Sequence, residues 1–427
     1  MKKLLKVLLI VVGSIVSLFL VVILFLVVAN TFATISLKSY INKFDKVEYD
    51  SQLVPVKDEN GYYTFTTDGE FRIMQINDIH IGGGHYSLKK DKKTVYEVMT
   101  MVQKEKPDLI ILNGDNTFAV PGPMFNGGGT FNNRMAAKRV IQMFEKLGVY
   151  FTTTFGNHDT EAFDLFNRKQ IGKLYSLDKY KYCIFESNYT GYGVSNQCIL
   201  LKNSGGDIRK AIMLIDSNDY IDDSLASTIN WLYDTIHDDQ VKWAKDTITA
   251  LGNNVKSLFF CHIPIGEFET AYRELANNVF NDTTNTKYIS GVWDELVNEK
   301  MGGRIWYGGC HKKDVAPEDN DTLFEELGPN GINSMEALFC GHDHVNNAVV
   351  EYKGVTLAYG MSIDNIAYDD IALSGKQRGA MVITIKTNNS FTIDHNNAYT
   401  HYGVETDKFF NVYLDHYLYE DYAPTNR

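Results

Sequence analysis

Hydrophobic and polar positions divide the chain into three stretches. Val7 to Ala29 contains no charged residue. A spanning helix needs roughly 20 apolar residues, whereas the apolar region of a cleavable signal is about 7–15. Residues 1–30 therefore read as an N-terminal transmembrane signal anchor, although Val27-Val28-Ala29 has the small-residue character of a cleavage site. Residues 31–69 are mixed and polar and end in Thr66-Thr67-Asp68-Gly69. They read as a stalk leading into an edge strand. From Phe71 onward, short apolar runs alternate with amphipathic segments.

Each apolar run predicts a strand, and each amphipathic segment a helix. Phe71 to Ile76 stops at Asn77-Asp78, and a helical stretch from Lys92 to Glu105 is closed by Pro107. Leu109 to Leu112 runs into Asn113-Gly114-Asp115. A second helix is predicted from about Asn133 to Leu147, ended by Gly148. Val149 to Phe155 runs into Gly156-Asn157-His158-Asp159. Ala211 to Ile215 precedes Asp216, and a helix spans Gln240 to Leu251. Ser257 to Cys261 precedes His262, and Ala337 to Cys340 precedes Gly341-His342-Asp343-His344. Two hairpins follow, one turning at Lys353-Gly354 and one at Asn388-Asn389. Strand–helix alternation early and hairpins late predict an α/β sheet core whose last part is antiparallel. The main domain is expected over 70–400, with a C-terminal tail over 401–427. Gly82-Gly83-Gly84 and Gly127-Gly128-Gly129 mark loops, and neither has the Gly-Lys-Ser/Thr ending of a phosphate-cradling loop.

Composition narrows the function. The 427 residues are 44% hydrophobic and 13% aromatic, ample for a buried core. A net charge of −12 argues against nucleic-acid binding. It leaves room for a phosphorylated small-molecule substrate, because bound metal can supply positive field locally. Lys2, Lys3 and Lys6 before the apolar run favour a cytoplasmic N-terminus, and Lys38, Lys43 and Lys46 after it oppose that. Long domains translocate largely regardless of charge. A single-pass protein with its catalytic domain outside the cytoplasm is therefore expected. No protein partner is implied. Cys183 and Cys198 bracket a Gly/Asn/Tyr-rich stretch and could be bridged. No Cys-x-x-Cys occurs, so finger-type zinc is unsupported.

The chemistry lies just past the apolar runs: Asp78 and His80, Asp115, Asn157 and His158, His262, then His342 and His344. In α/β sheets, ligands bind outside the carboxyl ends of strands. This mixture of carboxylate, amide and imidazole suits two cations of intermediate hardness: Fe, Mn or Zn. Two such ions about 3.5–4 Å apart need a bridging ligand. Asp115 is the central carboxylate for that bridge, and the neutral Asn157 limits the negative charge of the site.

In order and type, these clusters resemble the five blocks of calcineurin-like metallophosphoesterases. Gly341-His342-Asp343-His344-Val345-Asn346, Tyr352-Lys353-Gly354 and Arg378-Gly379-Ala380 further resemble a purple-acid-phosphatase-like branch. That branch carries a metal-binding tyrosine three residues after the block-two aspartate, where this chain has Phe118, and it lacks the histidine kept here as His80. No tyrosinate–iron colour is therefore expected.

The resemblance implies a four-layer αββα sandwich with mixed sheets. It assigns Asp78, His80, Asp115 and His344 to one metal, and Asp115, Asn157, His262 and His342 to the other. His158 would face substrate as a catalytic residue, with Asp159 holding its ring. Asn116 can contact a phosphate oxygen. The expected reaction is hydrolysis of phosphate esters by attack of a metal-bound hydroxide. Phosphodiester or nucleotide pyrophosphate cleavage, and a non-catalytic metal-binding receptor, are the alternatives. The loops over Gly82–Leu88, Pro121–Asn132 and Gly266–Met301 are expected to shape the pocket.

Overall fold

A strand whose successive side chains enter two different apolar clusters must lie between two layers, since side chains alternate across a strand. Phe71 and Ile73 enter one cluster, and Met74 and Ile76 another. Leu109 and Ile111 part from Ile110 and Leu112 in the same way. The computed structural model describes residues 2–120, 128, 130–222, 224–252, 254–278, 281–291, 321–344, 346–367 and 378–404. Most of the 401–427 tail and much of two of the expected pocket loops lie outside the described residues.

The chain begins with α1 (Lys2–Ile41), β1 (Val56–Lys57), β2 (Tyr63–Thr66) and β3 (Phe71–Ile76). Then follow α2 (Leu88–Glu105), β4 (Leu109–Asn113), α3 (Asn133–Leu147), β5 (Phe151–Thr154) and α4 (Arg168–Tyr175). The middle holds β6 (Gln197–Lys202), β7 (Ile208–Leu214), α5 (Leu225–Ile229), α6 (Asp238–Leu251), β8 (Ser257–Phe260), α7 (Gly266–Asn277) and β9 (Thr286–Ser290). Last come α8 (Leu323–Leu327), β10 (Met335–Cys340), β11 (Val349–Tyr352), β12 (Val355–Tyr359), β13 (Gly379–Ile385) and β14 (Phe391–Asn397).

Two mixed sheets face each other. One has the order β14-β13-β3-β4-β5 and the other β1-β2-β6-β7-β8-β10-β12-β11-β9. β3, β4 and β5 are parallel, as are β7, β8, β10 and β12, while β13 and β14 form the antiparallel edge. Phe71, Ile73 and Leu109 share the inter-sheet core with Ile212, Leu258 and Phe339. α2 and α3 cover the outer face of the smaller sheet, and α6, α7 and α8 that of the larger. The architecture is the four-layer αββα sandwich with mixed sheets.

Two features differ from the sequence reading. The stretch taken as the start of a stalk is helical to Ile41, and Ala33, Leu37 and Ile41 are buried. Their fourfold spacing makes one apolar stripe, and Leu37 and Ile41 pack in the same cluster as the residues of α2 and α3. Polar residues between them hide the stripe in a composition count. Cys183 and Cys198 are free thiols. Cys183 Sγ contacts the Tyr175 carbonyl, whereas Cys198 pairs in register with Met213 inside the larger sheet.

The glycine loop before α2 is held by one carboxylate. Asp91 is buried and accepts the backbone N–H groups of Gly82 (2.9 Å) and Gly83 (3.0 Å) and the Ser87 hydroxyl (2.8 Å). The loop also meets the second glycine run closely: a Cβ on Gly84 would lie 1.8 Å from the Gly128 carbonyl oxygen. Asp91→Ala would strand two buried N–H donors, at about 1–3 kcal/mol each. The expected result is a clearly lowered thermal midpoint of the purified protein, and an unchanged midpoint would contradict this role.

Candidate metal centre

The carboxyl ends of β3, β4, β5, β8 and β10 meet at one place, and the backbone turns sharply there. Asp78, His80, Asp115 and His342 all have positive φ (52°, 49°, 51° and 70°). For residues with a Cβ this is an uncommon conformation, and such strain gathers at functional sites. Adjacent glycines allow the close approach. A Cβ on Gly114 would sit 2.3 Å from His262 Nδ1, and one on Gly156 would sit 2.1 Å from Asp115 Oδ1.

Two ligand groups result, and they share one residue. Asp78, His80, Asp115 and His344 each offer an atom, all within 4.8 Å of one another; so do Asp115, His262 and His342. Asp115 Oδ2 lies 3.3 Å from His80 Nε2 and 3.1 Å from His262 Nε2. His342 and His344 fall into different groups, and Asp115 belongs to both.

The donor set fits cations. Both oxygens of Asp78, Asn157 Oδ1 and both ring nitrogens of His342 are buried without a hydrogen-bond partner. Orphaned buried groups of this kind cost about 1–3 kcal/mol each. Asn157 spends its Nδ2 on the Tyr220 hydroxyl at 3.3 Å, leaving Oδ1 free to ligate. His262 Nδ1 lies 2.9 Å from the Asn113 carbonyl, which can only accept. Nδ1 therefore carries a proton, and Nε2 faces Asp115. Burial works against the charged ring, but Asp115 outweighs it and raises this imidazole to about 9, so a cation would take the place of the Nε2 proton.

Burial raises the Asp115 carboxyl, but His262 and His158 more than offset it and hold Asp115 well below the ordinary range. Burial pushes His342 well below the usual imidazole value, so it is neutral, the form that ligates metal. Burial works against His158 as well, but Asp115 and Glu161 outweigh it and raise this imidazole.

Asp364, which sequence reasoning missed, holds two of these histidines. Its Oδ1 lies 3.2 Å from His80 Nδ1 and its Oδ2 lies 3.3 Å from His344 Nδ1. Such a carboxylate fixes ring orientation and tautomer, leaving each Nε2 for metal. The signal was available, since Asp364 follows the apolar run of β12. For Asp364→Asn we expect metal affinity lower by about 10–100-fold, read by titration with a chelator. Wild-type affinity would rule out the role.

Two assignments need correction. Asp159 does not hold His158. Its buried carboxylate accepts the backbone N–H groups of Asn116 (3.0 Å), Thr117 (3.1 Å) and Gly156 (2.9 Å), which fixes the two ligand loops together. The partner of His158 Nδ1 is Glu161, one turn further on. Asn116 is fully buried, and its amide donates to Thr153 Oγ1 (3.0 Å) and Asp159 (3.2 Å), so its side-chain N–H groups are engaged within the fold. Phe118 stacks on His80 with ring centroids 5.1 Å apart and meets His158 edge-on at 4.9 Å. Beside Glu161 and Tyr220 opens a cavity of about 570 Å³, with Arg168 and Asp219 in its wall.

Residues 71–346 match the family described as calcineurin-like phosphoesterase. The chain is 25% identical over 371 residues to "Probable inactive purple acid phosphatase 29" of Arabidopsis thaliana, covering 78% of this chain and 82% of that protein. It is 23% identical over 347 residues to "Probable inactive purple acid phosphatase 14" of the same plant, covering 74% and 75%. Phosphatase DCR2 of Saccharomyces cerevisiae is 23% identical over 301 residues, covering 66% of this chain and 45% of that one. With the family match extending over more than half its length and through all five ligand clusters, the chain belongs to the calcineurin-like phosphoesterases.

Proposed function

We propose that the protein is a membrane-anchored phosphoesterase that hydrolyses phosphate monoesters with two metal ions, its catalytic domain facing away from the cytoplasm. The observation that carries this reading is the pair of buried ligand groups joined at Asp115. Bound cations of this kind supply Lewis acidity and an activated water. The protein's own residues supply the rest. Asp78, His80, Asp115 and His344 would hold one ion, and Asp115, Asn157, His262 and His342 the other. His158 carries a proton on Nε2 for the departing ester oxygen, while Glu161 holds Nδ1. Phe118 restricts both rings and keeps water from that side. α1 is long and apolar enough to cross a membrane, which supports the anchor.

The word "inactive" in two relatives' names favours a metal-binding protein without turnover. Against it stands the His158–Glu161 pair, which a passive metal binder does not need. A chromogenic phosphomonoester assayed beside its diester analogue decides. Monoester turnover should exceed diester turnover, vanish with chelator and return with added Mn, Fe or Zn. Turnover that survives exhaustive chelation would sink the reading.

A further inference from the structure

α1 joins the folded domain at the end of the sheet that carries the candidate centre. Asn30 Oδ1 accepts the backbone N–H of His85 at 2.8 Å, and His85 lies in the loop between His80 and α2. Later residues of the same segment meet the far end. The Lys38 carbonyl and Asn42 Oδ1 accept from the Gln142 side chain (3.2 and 2.8 Å). The Asp45 carbonyl accepts from Gln103, and Val47 N–H donates to the Leu147 carbonyl, both at 2.9 Å. Gln103, Gln142 and Leu147 lie toward the carboxyl ends of α2 and α3, away from the centre. α1 thus runs from the site end toward the opposite end, and the apolar run before Asn30 projects outward from the site end. At 1.5 Å per residue, Val7 to Ala29 spans about 34 Å, enough for a hydrocarbon core of about 30 Å. The bilayer surface then lies beside Asn30, at the end where the ligands converge.

Exposed apolar side chains rim this same end. Tyr86 (52% exposed) precedes the first turn of α2, and Phe131 (46%) precedes that of α3. Leu165 (64%) is tied to Phe131 by its backbone N–H at 2.9 Å. Phe32 and Ile35 of α1 are exposed just past Asn30. Clustered exposed apolar and aromatic groups of this kind mark contact with a partner or a membrane. Their continuity with the apolar helix selects the membrane.

We propose that this rim sits in the bilayer interface and that the substrate is a phosphate monoester borne by a membrane lipid. The proposal rests on the phosphoesterase reading above. In the reaction a water oxygen bonds to phosphorus, the ester P–O bond breaks, and the leaving lipid oxygen takes a proton, giving inorganic phosphate and the lipid alcohol. Confining enzyme and substrate to one surface raises their effective concentration.

The test uses the full chain in phosphatidylcholine vesicles containing phosphatidic acid, beside soluble p-nitrophenyl phosphate. The variant combines Phe32→Asp, Ile35→Asp and Leu165→Asp, rim positions outside the loops expected to shape the pocket. Hydrolysis of phosphatidic acid should fall by at least about tenfold, as charges are excluded from the interface, with p-nitrophenyl phosphate turnover unchanged. Equal loss on both substrates, no loss on either, or a wild-type protein that cleaves only the soluble ester would overturn the proposal while leaving the phosphoesterase reading intact. If the wild type cleaves neither, that reading fails, and the seating of the rim is judged by itself. A fluorophore on Leu165→Cys should be quenched by a lipid-borne nitroxide, and one on Ser390→Cys, at the far hairpin tip, should not. Equal quenching at both positions, or none at Leu165→Cys, would rule out the seating.

Discussion

Asp115→Asn is expected to lower kcat by on the order of 10³-fold or more, about 4 kcal/mol of barrier, and to reduce metal content at both positions. Asp115 belongs to both ligand groups, so a single change reaches both. The amide keeps the size of the carboxylate and can still accept the His158 backbone N–H, which Asp115 Oδ1 takes at 2.8 Å. It loses the charge that would offset two cations and that raises the neighbouring His262 and His158 imidazoles. The circular dichroism spectrum should therefore be unchanged while metal analysis shows the loss. Turnover within tenfold of wild type would mean that Asp115 does not bridge.

His158→Ala is expected to reduce kcat by about 10²–10⁴-fold, the range for a positioned proton donor, with metal content retained. Its imidazole is raised above the ordinary value, because Asp115 and Glu161 overcome the effect of burial. The sign follows directly: a raised base keeps its proton to higher pH. The alkaline limb of kcat should thus lie above the usual imidazole value of about 6.5 and fall as pH rises through the shifted one. Glu161→Gln removes one of the raising charges, so the limb should move to lower pH. Glu161 is a positioning residue, and this profile separates that role from a purely structural one. A limb that stays put in Glu161→Gln would contradict it.

What the chain discloses by itself depends on how local the cause is. α3 begins and ends where the sequence predicts, because Asn132 accepts the Met135 N–H at one end and Gly148 takes φ 69° at the other. α2 starts four residues earlier than predicted, at Leu88, behind Ser87. Ligand candidates were legible because each follows directly on an apolar run, and strands of an α/β sheet end on one side. β6 was passed over although Cys198 to Leu201 is an apolar run; no ligand follows it to draw attention. Partnerships between loops were not legible. Asp159 is next to His158 in sequence, yet its carboxylate turns back to three backbone N–H groups. Glu161 reaches the ring instead, and Asp364 arrives from beyond β12. Only the Asp364 pairing depends on how the two sheets meet. That of Asp159 joins loops of neighbouring strands in one sheet, and Glu161, three residues from His158, was within local reach and was overlooked. The helical continuation of α1 to Ile41 was hidden similarly, because its stripe of Ala33, Leu37 and Ile41 matters only once α2 and α3 are there to cover it.

The most direct measurement of the central claim is the metal content of the purified, active full chain, set against His342→Ala and His344→Ala. Two ions per chain are predicted in the wild type, with each variant losing an ion from a different ligand group and most of the activity. A fully active protein that holds one ion or none would contradict the account.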